Sequence, residues 1–585
     1  MRKLLAIVLS SVLLIGLAST VHAAGPTNYT YVYGFWADEI ATPDAFAVAG
    51  MVYGFDYGIG NFNNPQDLHS CKLTNKLYIA DTGNNRIVVF DLDESTDSFV
   101  LNRVVTGVYI DPADVPVLRD VGEVDLEEDD EEGAPHFDDG EHSVDETEHF
   151  DDDEDDVNPQ TDEIDEQWTM DNGQLTIDDE DENEIDEDGL VEDEEFPLYN
   201  EDGLIFSGFN SPHGIFVDKH GEIFIADTLN QRILRLDNDF NYINSVFRPD
   251  DPTVVDDGIE FLPLKLVADF SGRIFTQVRN VNKGFMEFDV DGTFHGYMGA
   301  SRVEPRLIDI FWKRIATDAQ RRQMELFVPT EYNNLSLDHD GFVYATLSAY
   351  SGNPFDGVAP VRRLNAIGED ILIRNGYAEP AGDWWGGSFG GIQGMSRFAD
   401  VTVFPNNSYA VLDRTRGRIF MYDYQGELLY VFGGIGNTRG RFLDVAAIDR
   451  MGDNLLVLDP RAATVTRFAP TRYGSYITAA MDYYYSGDYD KSAEMWNMVM
   501  NLNGNYDFAY IGMGRAALRN EQYAEAMRLY EIKHDQENYG KAFQLFRKDW
   551  IEANITTILL CLLVVYVILK TLSIVLKIRN KRKGE

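Results

Sequence analysis

Six short alternating strands along the chain begin with residues that could converge on one polar site. Aligned by eye, their corresponding positions carry Asp67, Gly214, Lys265, Asn334, Asp400 and Asp444, with His213 beside Gly214. Carboxylate and amide oxygens ligate divalent cations, and the same groups bind the hydroxyls of a sugar. Alternatively, these residues cap strand starts or hold channel water. The set predicts a ligand site if the strands surround a common axis.

A second candidate cation site lies within an acidic segment. Residues 184–195 read EIDEDGLVEDEE and fit calcium-loop spacing, with Glu184, Asp186, Asp188 and Glu195 as ligands. The first ligand is Glu where Asp is usual, and Pro197 follows at once. The alternative is a chance match in a solvated acidic spacer, so Ca²⁺ or another divalent cation is one of two predictions here.

Two adjacent tryptophans form a third candidate. The stretch from 381 to 394 reads AGDWWGGSFGGIQG, a loop rich in glycine. Exposed Trp384 and Trp385 could stack on a sugar ring, since aromatic faces contact apolar ring surfaces. They could equally plug the mouth of a channel.

The elements that must position these residues are repeated hairpins. Residues 77–91 read LYIADTGNNRIVVFD and residues 223–237 read IFIADTLNQRILRLD. Looser copies begin near positions 273, 343, 409 and 454. Each copy has an alternating run, a polar turn and a second alternating run, and several are flanked by further strands. Six such units without long amphipathic helices predict an all-β, six-bladed β-propeller.

The turns of the two strong copies carry a family resemblance. Residues 81–86 (DTGNNR) and 227–232 (DTLNQR) resemble the core of NHL repeats, and residues 413–418 are a looser relative. The Asp at the strand end can bond turn N–H groups, and the Arg opens the returning strand. Because this pair recurs in several blades, it is interpreted as structural, and function is expected in the innermost strands.

The resemblance implies two enzyme families for comparison. Gluconolactonase-like propellers hold one divalent cation with Glu, Asn and Asp, whereas NHL lyases acting on amidated peptides bind zinc through several His residues. The inner strands here offer Asn and Asp but no matching Glu. Only His213 is suitably placed, and His69 lies elsewhere on its strand, so a three-His zinc site is not expected.

A different repeat follows the propeller. Four pairs of positions stand 34 residues apart, namely Tyr489 and Tyr523, Ser492 and Ala526, Trp496 and Tyr530, and Ala480 and Gly514. This spacing resembles two tetratricopeptide (TPR) units within 473–554, with 541–554 as a further helix. Two units are few for independent stability, so packing against the propeller is expected. The segment could bind a membrane-protein partner or serve as a rigid stalk.

Both ends of the chain suggest a membrane. Residues 1–23 have the charged start, apolar run and small residues of a signal peptide, with an uncleaved anchor as the alternative. Residues 555–576 suit one bilayer crossing, and the basic tail 577–585 places the C-terminus in the cytoplasm. The prediction is a single-pass protein with everything before Ile555 outside; a buried core helix is the alternative.

The charge is concentrated in one segment. The formal net charge is −52, and between Arg119 and Lys219 there is no Lys or Arg and about 40 acidic residues. Residues 123–202 are therefore expected to be disordered, between a first part (24–122) and the remaining blades (203–470). No basic surface for a nucleic acid is visible, so nucleic-acid binding is not expected.

The whole arrangement resembles bacterial extracytoplasmic NHL-repeat proteins with a C-terminal TPR pair and one membrane span. That resemblance implies a membrane-anchored binding or scaffold module, associated with carbohydrate uptake and a carbohydrate ligand. The alternative is a metal-dependent lactone hydrolase with its site in the propeller channel.

Overall fold

Apolar strands of three to eight residues fold into six antiparallel sheets arranged as blades. The structure is a computed structural model of the chain. It describes residues 30–33, 39–112, 200, 203–299, 331–347, 359–376, 379–383 and 394–581. The predicted signal peptide (1–23) lies outside the described residues, as does the acidic segment except for residue 200.

Blades 1–3 each have four described strands. Blade 1 comprises Asp67–Cys71, Lys76–Asp81, Arg86–Asp93 and Ser98–Val105. Blade 2 comprises Pro212–Val217, Ile223–Asp227, Arg232–Leu236 and Tyr242–Val246. Blade 3 comprises Pro263–Ala268, Ile274–Val278, Phe285–Phe288 and Phe294–Met298.

Blades 4–6 vary this plan. Blade 4 has the described strands Tyr332–Leu337, Val343–Leu347 and Val361–Leu364. Blade 5 has Phe398–Val403, Tyr409–Asp413, Arg418–Tyr422 and Leu428–Gly433, extended by Tyr31–Tyr33 and Glu39–Ala41. Blade 6 has Ala447–Met451, Asn454–Asp459, Thr464–Pro470 and Phe46–Tyr53.

The first strand of each blade is its inner strand, and the six inner strands contact one another in cyclic order. The ring closes because Phe46–Tyr53 pairs antiparallel with Thr464–Pro470, joining the two ends of the propeller in one sheet. Closure pairs strand edges that would otherwise face water. The prediction of a six-bladed β-propeller is confirmed, and the N-terminal region supplies the outer strand of the last blade.

Each blade buries both faces against its neighbours, which explains the continuous apolar runs. All five residues of Ile223–Asp227 are buried, and Ile225 is fully inaccessible to solvent. The core between blades 1 and 2 joins Tyr78 and Ile87 to Ile215 and Leu234. When both faces of a strand are buried, neither face carries polar side chains. Its sequence is therefore a nearly continuous apolar run instead of an alternation of polar and apolar residues.

The recurring Asp–Arg turn is a clamp inside blades 1 and 2. In blade 2, Asp227 Oδ1 accepts from the Asn210 backbone N–H (2.8 Å). Its Oδ2 accepts from Asn230 Nδ2 (2.9 Å) and Arg232 Nε (2.8 Å). Thr228 Oγ1 donates to the Pro263 carbonyl of blade 3 at 2.7 Å. One carboxylate therefore holds the entering segment, the turn and the returning strand, and the next residue joins the adjacent blade.

Blade 1 repeats this arrangement atom for atom. Asp81 accepts from the Asn63 N–H (2.7 Å), from Asn84 Nδ2 (2.9 Å) and from Arg86 Nε (2.6 Å). Thr82 Oγ1 donates to the Pro212 carbonyl of blade 2 at 2.7 Å. The motif thus has a structural role in both blades.

A two-stranded pair marks where the acidic segment leaves the propeller. Gly107–Ile110 pairs antiparallel with Ile205–Gly208, with Gly107 opposite Gly208. Val108 and Ile110 are buried in the core between blades 1 and 2. The polypeptide therefore leaves and re-enters the propeller at one anchored point.

The C-terminal part is helical. A short helix, α1 (Pro252–Val255), lies within the propeller chain. It is followed after blade 6 by α2 (Arg472–Tyr485), α3 (Tyr489–Leu502), α4 (Asp507–Arg519), α5 (Tyr523–Ile532) and α6 (Gln536–Lys581). The predicted helix 541–554 and the predicted span 555–576 are parts of one continuous helix, α6.

Helices α2–α4 share one hydrophobic core with blades 5 and 6. Ile477, Trp496 and Tyr506 are buried in the same cluster as Phe432 and Phe468 of the propeller. This confirms the expected packing of the helices on the propeller.

Polar contacts reinforce this junction. Tyr506 Oη donates to the Leu429 carbonyl at 2.8 Å, and Asn406 Nδ2 donates to Asp482 Oδ1 at 2.7 Å. Arg515 of α4 donates to Asp423 Oδ2 (3.2 Å) and Glu427 Oε1 (3.4 Å) of blade 5. Specific hydrogen bonds on an apolar contact fix a single docking geometry.

Candidate channel site

The inner strands surround a central cavity of about 160 Å³ and line it in two layers. The first layer holds the residues paired with the penultimate position of each second strand: Asp67, Gly214, Lys265, Asn334, Asp400 and Ala447. All of these except Gly214 and Ala447 line the cavity. The second layer lies two residues further along: His69, Phe216, Val267, Ser336, Thr402 and Asp449. Residues two apart on a strand point the same way, so both layers face the axis.

An ion pair occupies one side of the first layer. Lys265 Nζ lies 2.5 Å from Asp67 Oδ1 and donates to the Gln66 carbonyl at 2.9 Å. Asp67 Oδ2 accepts from the Ile215 backbone N–H at 2.9 Å. The pair joins the inner strands of blades 1, 2 and 3, and both partners line the cavity.

Asp400 and Asn334 occupy the other side. Asp400 Oδ1 accepts from the Val401 N–H (2.6 Å) and Oδ2 from the Ile448 N–H of blade 6 (2.7 Å). Burial raises the pKa of the Asp400 carboxyl well above its usual value, with nearby Lys265 lowering it. Asn334 Oδ1 accepts from the Leu335 N–H at 2.7 Å, and its Nδ2 lies 3.4 Å from the Ala399 carbonyl.

A hydrogen-bonded cluster in the second layer links blades 1, 5 and 6. Asp449 Oδ1 accepts from Thr402 Oγ1 at 3.1 Å, and Oδ2 accepts from the Ser70 N–H at 2.7 Å. His69 Nδ1 lies 3.5 Å from Asp449 Oδ2, and its Nε2 lies 3.1 Å from the Val217 carbonyl. A carbonyl only accepts, so the network assigns a proton to Nε2.

The structure places Asp67, Lys265, Asn334 and Asp400 together, but not Asp444. Asp444 instead forms a bidentate ion pair with Arg414, at 2.8 Å for the shorter contact, and precedes the inner strand of blade 6. The first-layer position of that blade is Ala447, whose short apolar side chain gives no polar signal in the sequence. The predicted correspondence for Asp444 is therefore corrected.

His213 lies beside the channel and is absent from the lining of the described cavity. Its Nδ1 lies 3.0 Å from the Ser211 carbonyl. Burial lowers the pKa of the His213 imidazole, and the Lys265 charge acts in the same direction. Burial and the lysine charge therefore both favour the neutral form of this imidazole.

The remaining predicted site residues lie outside the described part of the chain. These are Trp384 and Trp385, and the calcium-loop residues Glu184, Asp186, Asp188 and Glu195. Within the described residues, no group of three or more His, Cys, Asp or Glu side chains is placed to hold a metal ion.

Gly214 has no side chain because the next blade passes against it. A Cβ at this position would stand 2.5 Å from the Leu264 carbonyl oxygen and 3.1 Å from Lys265 Cα. We expect Gly214→Ala to lower the free energy of unfolding by about 1–3 kcal/mol, the usual cost of overpacking. Gly208→Ala is the matched control because its Cβ would meet its nearest atom at 3.7 Å. Equal urea midpoints for the two variants would contradict the close approach.

Buried carboxyl groups predict an unusual pH dependence of stability. Burial raises the pKa of seven aspartates, Asp44, Asp227, Asp400, Asp413, Asp423, Asp459 and Asp482. Their folded pKa exceeds the unfolded value of about 3.9, so the folded state binds protons that the unfolded state releases. That stabilisation is complete at low pH and is lost as pH rises through the folded pKa.

We therefore expect the melting temperature to rise as pH falls from 8 toward about 5. Below about pH 4 the protein is expected to lose stability instead. Hydrogen bonds lower the pKa of other aspartates, such as Asp237 and Asp269, and protonation of these groups weakens those bonds. Scanning calorimetry in 0.5 M salt checks this, because salt screens the net charge of −52 but not buried groups. A melting temperature that stays flat or falls between pH 8 and 5 would count against it, and Asp400→Asn should reduce the slope.

Comparison with known proteins finds remote structural similarities. No family model and no curated protein matches the chain. A solved structure of virginiamycin B lyase from Staphylococcus aureus matches at 9% identity and a TM-score of 0.35, over 73% of this chain and 100% of that chain. Kuenenia stuttgartiensis hydrazine synthase matches at 8% identity and a TM-score of 0.34, over 71% of this chain and 97% of that chain.

A third match is the extracellular domain of a putative one-component system from B. thetaiotaomicron. It is 12% identical, covers 69% of this chain and 33% of that chain, and has a TM-score of 0.28. None of these similarities is close enough to assign a site or an activity.

Proposed function

We propose that this protein is a membrane-anchored, extracytoplasmic NHL-type propeller and TPR-like protein that acts as a rigid binding or scaffold module. The observation that carries the proposal is the hydrophobic core shared by blades 5 and 6 and helices α2–α4. Those helices lead into α6, the helix among the described residues that is long and apolar enough to cross a membrane. A propeller fixed to a membrane helix holds its binding surface at a set position.

The 34-residue spacing supports the TPR-like assignment. Trp496 and Tyr530 occupy equivalent positions, and both are buried. A Cβ on Gly512 would stand 2.4 Å from the Trp496 ring, and one on Gly514 would stand 2.6 Å from the Tyr530 ring. Small residues that admit a large aromatic side chain from a neighbouring helix are typical of paired helical repeats.

The docking of the helices favours the stalk role over peptide capture on one face. Helix α2 contributes Tyr473 and Ile477, and α4 contributes Phe508 and Arg515, to the contact with the propeller. That face is already occupied. The surface left for a membrane-protein partner is on α3, α5 and the start of α6.

The channel suits a small polar ligand. Its 160 Å³ is below the 300–1,000 Å³ typical of pockets for drug-sized ligands, so one sugar ring or a smaller polyol is the upper limit. Lys265 and Asn334 retain donors, and Ser336 and Thr402 present hydroxyls to the same space. A carbohydrate ligand and a link to carbohydrate uptake rest further on the NHL/TPR resemblance.

The first layer does not fit a divalent cation, and this disfavours the alternative function of a metal-dependent lactone hydrolase. Lys265 Nζ already stands 2.5 Å from Asp67, where a cation would need that carboxylate. Both oxygens of Asp400 accept backbone N–H groups, and Asn334 Oδ1 accepts another. A second positive charge beside the lysine would be repelled.

Calorimetric titration of the full-length protein with monosaccharides, polyols and aldonolactones tests this proposal. We expect binding of at least one polyhydroxyl ligand that is unaffected by a chelator. Lys265→Gln should weaken it at least tenfold, and Lys283→Gln, on a half-exposed side chain outside the channel, should not. Lactone turnover that a chelator abolishes would overturn the binding role, as would ligand binding that ignores Lys265→Gln.

A further inference from the structure

Two basic side chains at one end of the channel have no acidic partner. Lys72 and Arg450 both line the cavity, and neither forms an ion pair within the described residues. Lys265, by contrast, is paired with Asp67 at 2.5 Å. A charge that faces a cavity without a partner is a group that a ligand of opposite charge can neutralise. We call Lys72 and Arg450 the basic end of the channel.

The Arg450 guanidinium is held in place without being neutralised. Its Nε donates to the Val403 carbonyl of blade 5 at 2.6 Å, and its Nη1 lies 3.5 Å from the Gly452 carbonyl. The guanidinium carbon lies 5.9 Å from the centre of the Phe404 ring. These contacts orient the planar group, while Nη2 has no acceptor among the described residues. The side chain is therefore positioned to donate to an anion.

Lys72 lies at the same end of the channel as Arg450. Ser70 of blade 1 donates its backbone N–H to Asp449 Oδ2 at 2.7 Å and its hydroxyl group to the Arg450 carbonyl. These bonds hold the inner strands of blades 1 and 6 side by side. Lys72 follows Cys71, where the blade 1 strand ends. The two positive charges therefore lie where these neighbouring strands finish.

The carboxylates of the cavity lining, in contrast, are all engaged. Both oxygens of Asp449 accept hydrogen bonds, including one from the Arg450 backbone N–H at 2.7 Å. The oxygens of Asp67 and of Asp400 are occupied by Lys265 and by backbone N–H groups. The negative groups of the channel are therefore satisfied within the chain, whereas the positive groups of the basic end are open to a ligand.

We propose that the basic end of the channel binds the carboxylate group of a small polyhydroxy acid, the chemistry of a sugar acid. Lys72 and Arg450 carry two positive charges against the one negative charge of Asp449, so one positive charge remains for the ligand to neutralise. A carboxylate brings one negative charge and accepts charge-assisted hydrogen bonds from a guanidinium. A phosphate ester brings roughly 1.5–2 negative charges and would leave this end negative. The inference rests on the proposed function, because it adds an acid group to the polyhydroxyl ligand.

This placement directs the rest of the ligand into the channel. Ser336 of the second layer lines the cavity, and its hydroxyl group has no hydrogen-bond partner among the described residues. Lys265 and Asn334 of the first layer line the cavity beyond it. A ligand whose acid group lies at the basic end therefore places its hydroxyl groups against these donors, so affinity should increase with the length of the polyhydroxyl chain.

Blade 2 supplies a matched control for Lys72. Lys219 stands five residues after Gly214, as Lys72 stands five residues after Asp67, so the two lysines occupy the same repeat position. The Lys219 ammonium lies 4.6 Å from the centre of the Phe270 ring, and this lysine is absent from the lining of the described cavity. Lys219→Gln therefore removes the same charge at an equivalent place without touching the proposed site.

Calorimetric titration of the full-length protein in 0.15 M salt tests the proposal. The probes are aldonates of three to six carbons, from glycerate to gluconate, and the alditols of the same length, from glycerol to glucitol. We expect at least one aldonate to bind at least tenfold more tightly than its alditol.

Lys72→Gln and Arg450→Gln should each weaken the binding of that aldonate at least fivefold more than they weaken the binding of its alditol. Arg450→Lys keeps the charge and should restore part of the loss, whereas Lys219→Gln should change neither affinity. Lys72 is exposed, so Lys72→Gln tests the site even if Arg450→Gln disturbs folding.

Three outcomes would overturn the carboxylate site and leave the polyhydroxyl channel intact. They are equal affinity for an aldonate and its alditol, an aldonate affinity that Lys72→Gln and Arg450→Gln leave unchanged, or equal losses for Lys72→Gln and Lys219→Gln. Acetate or inorganic phosphate that binds as tightly as the best aldonate would also overturn it, because the hydroxyl groups would then contribute nothing. Failure of every aldonate and every alditol to bind would instead refute the proposed channel function itself.

Discussion

Arg515→Met is expected to loosen the helical segment from the propeller and to lower the free energy of unfolding by about 3–5 kcal/mol. Arg515 is nearly buried and lies 3.2 Å from Asp423, whose side chain is fully buried. Burial raises the pKa of the Asp423 carboxyl, and the Arg515 charge lowers it. Without the arginine, the carboxylate remains in the interface with no compensating charge.

Hydrogen exchange and urea unfolding of the detergent-solubilised protein measure this effect. Exchange should accelerate in α2–α5 while blades 1–3 stay protected. Adding Asp423→Asn should restore part of the loss, since it removes the uncompensated charge. Arg528→Met is the control, because the ion pair of Arg528 with Glu525 is exposed. We expect this variant to lower the free energy of unfolding by less than about 1 kcal/mol. If Arg515→Met and Arg528→Met behave alike, the junction is not held as described.

Arg232→Met is expected to have an effect of similar size, about 3–5 kcal/mol, inside the propeller. Arg232 and Asp227 are both fully buried, 2.8 Å apart. Burial raises the pKa of the Asp227 carboxyl, and Arg232 is the first group that lowers it. The variant leaves that carboxylate with only the Asn210 and Asn230 donors.

The same repeat position in blade 1 supplies the control. Arg86 pairs with Asp81 at 2.6 Å but keeps 14% of its side chain exposed. Water can partly replace the Arg86 guanidinium as a partner of Asp81. In the same urea titration, Arg86→Met should therefore lower the free energy of unfolding clearly less than Arg232→Met does. A larger loss for Arg86→Met would contradict the assignment of the difference to burial.

The blade plan was predictable because its signals are local. Each hairpin has an apolar run ending in a turn residue, as at Asp227, and the turn chemistry recurs at a fixed offset. Five of the six first-layer positions follow from that offset, including Asp67 and Asp400. The correspondence differs in blade 6, where the first-layer residue Ala447 carries no polar signal and the sequence alignment selects Asp444, three residues earlier.

The second layer was missed because it depends on closure of the ring. His69 and Asp449 lie at opposite ends of the propeller sequence and become neighbours only when Phe46–Tyr53 joins blade 6 to blade 1. In the sequence, Asp449 is simply one polar residue in a short strand of alternating polar and apolar residues, and it gives no sign of a site. The signal that could have found this layer was the two-residue period counted onward from Asp67 and Asp400.

The helical end shows a similar limit. The 34-residue spacing places Trp496 and Tyr530 at corresponding positions, and both side chains are buried. It could not indicate that α2 and α4 would turn toward blade 5, since that contact depends on scattered residues such as Asp423 and Tyr506. The boundary predicted at 554 is not a break, because nothing in the sequence there ends a helix.

The central claim is that the propeller and the helical segment form one rigid body on a membrane helix. Pulsed electron spin resonance between nitroxides at exposed Leu73 and Arg528, in membranes and with both native cysteines replaced by serine, measures this directly. One narrow distance distribution is predicted, and Arg515→Met should broaden it. A broad distribution in the parent protein would contradict the rigid junction.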